Sequence, residues 1–123
     1  NYFASVLAVF VMTSVPNIAN AQNYQNWQND PAILGELYMC TWQMDALYSE
    51  MPAQDARELM KISKVDLVRA SMAIVSAAQQ NNIPLDPDQF KNMAVGKNQF
   101  MRQKKALWYD MLSCGAALAR SGF

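Results

Sequence analysis

Cys40 and Cys114 are the two cysteines of this 123-residue chain, and it has no histidine at all. Without histidine, Ser-His-Asp and Cys-His catalysis, His-ligated zinc and haem held by an axial histidine are excluded. Neither Cys-x-x-Cys nor Cys-x-x-Cys-His occurs, so thioredoxin-type exchange and c-type haem attachment lack their motifs. Carboxylates such as Glu36, Asp45 and Asp110 are scattered, with no spacing that marks an acid/base pair. Met39-Cys40 with Met44 offers soft sulfur of the kind Cu(I) takes. Neighbours in sequence point to different sides of a helix, however, and Met44, Met51, Met60 and Met111 fall at core spacing, where methionine is an adaptable filler. The expectation is therefore no catalytic residue, no metal ligand and no cofactor. A copper-binding protein and an enzyme of unrecognised type are the alternatives.

Elements must position the two cysteines, and composition says which kind. Alanine, leucine, methionine and glutamine are common, glycine is scarce, and β-branched residues rarely alternate with polar ones, which favours helix over strand. The length suits one domain with one modest core. Ten basic residues balance ten acidic ones. A net charge of zero gives no long-range attraction for nucleic acid or an anionic membrane.

Phe3 to Val15 is uncharged and mostly apolar, and Pro16 and then Ala19-Asn20-Ala21 follow it before Gln22. The run is too short for a membrane span of about 20 residues. It has the order of a secretory leader with a small-residue cleavage site. Residues 1–21 are accordingly expected to be a cleaved signal peptide, placing the protein outside the cytoplasm, in a bacterial periplasm or secreted. Residues 22–30 form a polar Gln/Asn-rich arm whose Tyr24 and Trp27 either dock on a partner or, as we favour, fold back on the domain.

The helical domain is expected at 31–123. Asp30-Pro31 is a helix start, with a capping side chain before a proline at the first position. From there Leu37, Cys40, Met44, Leu47 and Met51 make one apolar stripe that Pro52 ends. A second helix over about 53–80 carries Ala56, Met60, Ser63, Leu67, Ala70, Ile74 and Ala77 as one stripe, with a break suggested near Ser63 and Asp66. Ile62, Val65, Met72 and Val75 form a further stripe, as if this helix were buried on two sides. Asp86-Pro87 restarts helix, Gly96 interrupts it, and Ser121-Gly122 closes it.

The cysteines choose among the ways of stacking these helices. In an oxidising compartment the simplest state is one Cys40–Cys114 disulfide, which requires Cα atoms within about 7 Å. Were 87–120 one unbroken helix parallel to the first, Cys40 would stand roughly 14 Å and Cys114 roughly 40 Å from their respective helix starts. A chain reversal at Gly96 makes the last helix antiparallel to the first and brings the sulfurs level. The expected fold is thus all-α, a small up-and-down bundle of four helices tied by one disulfide. Charge agrees, because Asp30–Glu58 holds six acids and one base while Leu59 onward holds nine bases and four acids. Antiparallel packing sets Glu36, Asp45 and Glu50 near the basic 97–105 segment.

No motif is specific enough to name a family. Trp42, Trp108 and Tyr109, with Tyr24 and Trp27 of the arm, are surplus aromatics of the kind that face a partner. The expected function is a small exported protein with a non-catalytic binding or accessory role in the cell envelope, as a binding module, an inhibitor or immunity protein, or a chaperone. Its expected partner is a protein and not a nucleic acid.

Overall fold

The computed structural model describes residues 24–123, and the leader assigned to 1–21 lies outside them. Among the described residues the chain is all-helical. A 3-10 helix, Tyr24–Asn29, precedes five α-helices: α1 (Pro31–Glu50), α2 (Ala53–Met60), α3 (Lys64–Gln80), α4 (Pro87–Gln103) and α5 (Leu107–Arg120). The four longer helices, α1, α3, α4 and α5, are the expected up-and-down bundle, and the 3-10 helix and α2 are short additions to it.

Each boundary has a local cause. The Asp30 carboxylate accepts from the amides of Ala32 and Ile33 at 3.0 and 3.3 Å, satisfying two donors that a helix start leaves open. Asp86 does the same for Asp88 and Gln89. Pro52 stops α1 as expected. The break suggested near Ser63 and Asp66 is real, and it begins just before them: α2 ends at Met60, Lys61 takes a left-handed φ of 60° and donates its amide to the Arg57 carbonyl, and Ser63 then caps α3 by accepting from Asp66.

The reversal is misplaced by the sequence reading. α4 runs straight through Gly96 to Gln103, and the chain turns at Lys104–Lys105, with Lys105 at φ 57°. A glycine inside a helix costs about 1 kcal/mol relative to alanine, but Ala94 and Asn98 on either side of it are fully buried against α1. Packing of those two residues outweighs the local penalty, so helix passes through Gly96, and it runs on for five residues beyond Asn98, the last that it buries.

α1 lies at the centre and packs on every other element. Its expected stripe is buried from Leu37 to Leu47, with Met51 at its end partly buried, and Leu34, Tyr38, Thr41, Gln43 and Tyr48 are buried as well, so the helix is enclosed nearly all round. α4 runs parallel to α1, with Phe90 against Tyr38 (ring centroids 5.1 Å apart), Asn98 against Gln43 and Arg102 paired with Glu50. α5 runs back along α1, and Cys40 and Cys114 are joined with their Cα atoms 5.4 Å apart. α3 also packs on α1 through Leu67, Ala70 and Ile74. Among the described residues no helix covers its other side, so the second stripe is only half buried: Ile62 and Val75 are partly buried against the core, while Val65 and Met72 are 61% and 67% exposed.

The polar arm is built into the domain. Its 3-10 helix packs on α1, α3 and α5, with Tyr24 and Trp27 both buried. Trp27 stacks on Phe123 at 5.2 Å, and Asn81 donates to the Gln28 carbonyl at 3.0 Å. Two large rings bury enough apolar surface to order a segment that lacks aliphatic residues.

Candidate functional site

Two features of the bundle are more than simple core. The first is a closed polar cluster between α1, α4 and α5. Gln43, fully buried, donates through Nε2 to Asn98 Oδ1 at 3.0 Å and to Asp110 Oδ2 at 2.7 Å. Asn98 Nδ2 donates back to the Gln43 carbonyl at 3.1 Å, and Lys97 Nζ stands 3.5 Å from Asp110 Oδ1. The disulfide lies alongside, with Cys114 Sγ 3.8 Å from Gln43 Oε1, a contact without a shared proton because a disulfide sulfur carries none. The cluster contains one carboxylate and two neutral amides, so it has no acid/base pair. Its work is to fix the register of three helices, since each buried polar atom left unpaired costs about 1–3 kcal/mol.

The second feature is a half-open groove of about 710 Å³ bounded by α2, α3 and α5. Its floor is Met60, Ala70, Met111 and Leu118, all buried beneath it. Its walls are mostly small: Ala73 on α3, and Gly115, Ala116 and Ala119 on α5. Where larger side chains would fill the space between neighbouring helices, these leave a trough. The size falls within the range of about 300–1,000 Å³ usual for ligand sites. Arg57 and Lys61 stand on the rim beside Arg69, whose Nη1 is 3.7 Å from Asp66 in an exposed pair. Phe123, backed by Trp27, closes one end. Apolar below and basic above, the groove is suited to holding an apolar body with negative charge at its edge.

The aromatics expected to contact a partner separate into three places. Tyr24 and Trp27 face inward; Tyr24 donates to Glu36, and its phenol is pushed up to about 12, first by burial and then by Glu36, with Arg120 opposing. Trp42 is partly buried on α1, its ring edge-on to Tyr38 at 6.1 Å and Lys91 Nζ 5.9 Å above it. It borders a smaller recess of about 190 Å³ together with Thr41, Leu67 and Met72. Trp108 and Tyr109 are together and exposed at the start of α5.

The carboxylates weighed for catalysis do not converge. Glu36 is engaged by Tyr24, Asp110 by Gln43 and Lys97, and Asp45 borders the small recess. Among the described residues no three His, Cys, Asp or Glu side chains form a metal-holding group. With Cys40 in a disulfide, the Met39-Cys40…Met44 sequence has no thiolate to offer Cu(I).

Sequence reasoning missed the groove and the roles of Gln43 and Asn98. The signal for the groove was the run Gly115-Ala116-Ala117 with Ala119, read only as part of a helix. The polar pair gave no signal, because a glutamine and an asparagine 55 residues apart meet only after folding.

Fold and groove together define a class: a small disulfide-tied helical bundle with one sealed flank and one open apolar flank. No family model, no curated protein and no solved structure matches the chain, so that class rests on its own geometry.

Proposed function

We propose that this is an exported, non-catalytic binding protein of the cell envelope that holds an apolar helical segment of a partner protein in the groove between α2, α3 and α5. The observation that carries the reading is the basic rim over an apolar floor. From Met111 to Ala119 the α5 wall is about 12 Å long at 1.5 Å per residue, which matches two turns of a helix laid in the groove. Arg57 and Lys61 complement acidic residues flanking the apolar face of that segment. An inhibitor, a chaperone and an accessory subunit would each use such a groove. The disulfide, and the absence among the described residues of any helix long and apolar enough to cross a membrane, are compatible with work outside the cytoplasm.

A direct test uses labelled amphipathic peptides of about three turns, identical in their leucine face and flanked by either glutamate or lysine. The glutamate-flanked peptide is expected to bind, the lysine-flanked one about tenfold or more weakly, and Ala119→Trp, which fills the groove, should abolish binding without loss of helicity. Equal binding of both peptides, or binding that survives Ala119→Trp, overturns the groove reading. Export is tested separately by the intact mass of the native protein, expected to begin at Gln22; a chain recovered uncleaved from the cytosol overturns it.

A further inference from the structure

The end of the bundle where α4 turns into α5 carries a second surface, remote in character from the groove. Phe100, Trp108 and Tyr109 are 53%, 54% and 72% exposed. Phe100 lies three residues before the end of α4, and Trp108 and Tyr109 are the second and third residues of α5. At 1.5 Å per residue the Cα atoms of all three lie within about 5 Å of the turn along the helix axes. Lys104 and Lys105 form the turn itself, both exposed, and Lys104 Nζ sits 4.9 Å over the Phe100 ring. Two acids lie close by and both are engaged: Glu50 pairs with Arg102, and Asp110 with Lys97 at 3.5 Å. Among the described residues neither Lys104 nor Lys105 has a carboxylate partner.

We propose that this turn docks on an anionic lipid surface, with Phe100, Trp108 and Tyr109 entering the headgroup layer and Lys104 and Lys105 pairing with lipid phosphates. Amphipathic rings with lysines beside them are the composition of interfacial anchors. The rings flank a chain reversal at one end of the bundle, a placement that lets all of them enter a flat layer together. That axial spread of about 5 Å matches the shallow end of interfacial insertion. A net charge of zero does not oppose the contact, because screening confines the relevant field to about 8 Å, where the two lysines dominate. The far field adds no steering, so attachment is weak and reversible, and it holds the groove close to a membrane face.

The full chain is mixed with vesicles of phosphatidylcholine alone or with about 30% phosphatidylglycerol, a content that gives an anionic surface, and bound protein is measured by sedimentation. Binding is expected on the anionic vesicles only, falling about tenfold or more in Lys104→Glu/Lys105→Glu and similarly in Trp108→Ala/Tyr109→Ala. All four side chains are exposed, so circular dichroism and melting should be unchanged in both variants. Wild-type tryptophan emission should shift to the blue on binding, and Trp108→Phe should lose that shift. Ala119→Trp, which fills the groove, should bind vesicles like wild type. Failure to sediment with anionic vesicles, or sedimentation unaffected by either pair of substitutions, overturns the proposal. Capture of a soluble protein through Trp108 and Tyr109 without vesicle binding also overturns it, making the turn a protein interface.

Discussion

α5 presents two faces that follow opposite rules. One carries Asp110 and Cys114 into α1, where every polar atom of the Gln43–Asn98–Asp110 cluster that donates has an acceptor and a covalent bond lies beside it. The other carries Leu112, Gly115, Ala116 and Ala119 to a trough that no side chain fills among the described residues. The flank with polar partners is closed, and the flank left open is apolar. Directional bonds and a cross-link specify one register and tolerate little change. Small apolar walls specify shape loosely and leave surface for something else to cover.

The comparison breaks first at the disulfide. Replacing both cysteines by alanine, or reducing the bond, should cost roughly 4 kcal/mol for a loop of this length, lowering the melting temperature by roughly 15–30 °C. An unchanged melting curve would mean that the polar cluster alone closes this flank. Gln43→Leu tests the cluster itself. It strips Asn98 Oδ1 and Asp110 Oδ2 of a buried donor and should cost about 2–3 kcal/mol by denaturant unfolding. Ala119→Trp, on the open flank, should stay within about 0.5 kcal/mol of wild type in the same assay.

Tyr24 gives a pH test of the arm that backs the groove's closed end. Its phenol is raised from 10.0 to about 12, so the folded state keeps a proton that the unfolded chain gives up first. That contribution is complete below pH 10 and is lost as pH rises towards about 12, by roughly 1–2 kcal/mol. Tyr24→Phe should show a shallower alkaline decline than wild type. One further substitution is expected to give a gain. A Cβ at Gly96 meets nothing within 4 Å, and the position is helical, so Gly96→Ala should stabilise by about 0.5–1 kcal/mol. A loss there would restore the turn at Gly96.

Much of the framework was legible because it depends on local rules. Asp30-Pro31, Pro52, Ser63 and Asp86-Pro87 mark real helix boundaries, since a capping oxygen or a proline acts on its own neighbours whatever surrounds them. The pairing of Cys40 with Cys114 and the antiparallel course of the last helix were legible because a disulfide admits few stackings of four rods. Gly96 misled for the same reason in reverse: its local preference was outweighed by Ala94 and Asn98, whose burial against α1 no local rule records. Trp108 and Tyr109 were marked as partner contacts, yet nothing in their spacing said that they share an exposed end with Phe100 and two lysines.

The sequence by itself determined the helical class, most helix ends, the disulfide and the alternation of chain direction, because each follows from neighbours along the chain or from one covalent constraint. Only the tertiary structure decided where α4 ends, that Gln43 is the hub of a buried network, and that Ala116 and Ala119 line a groove left open among the described residues. These depend on which surfaces face each other across 50 or more residues, and the free energy of such contacts exists only once the helices have met.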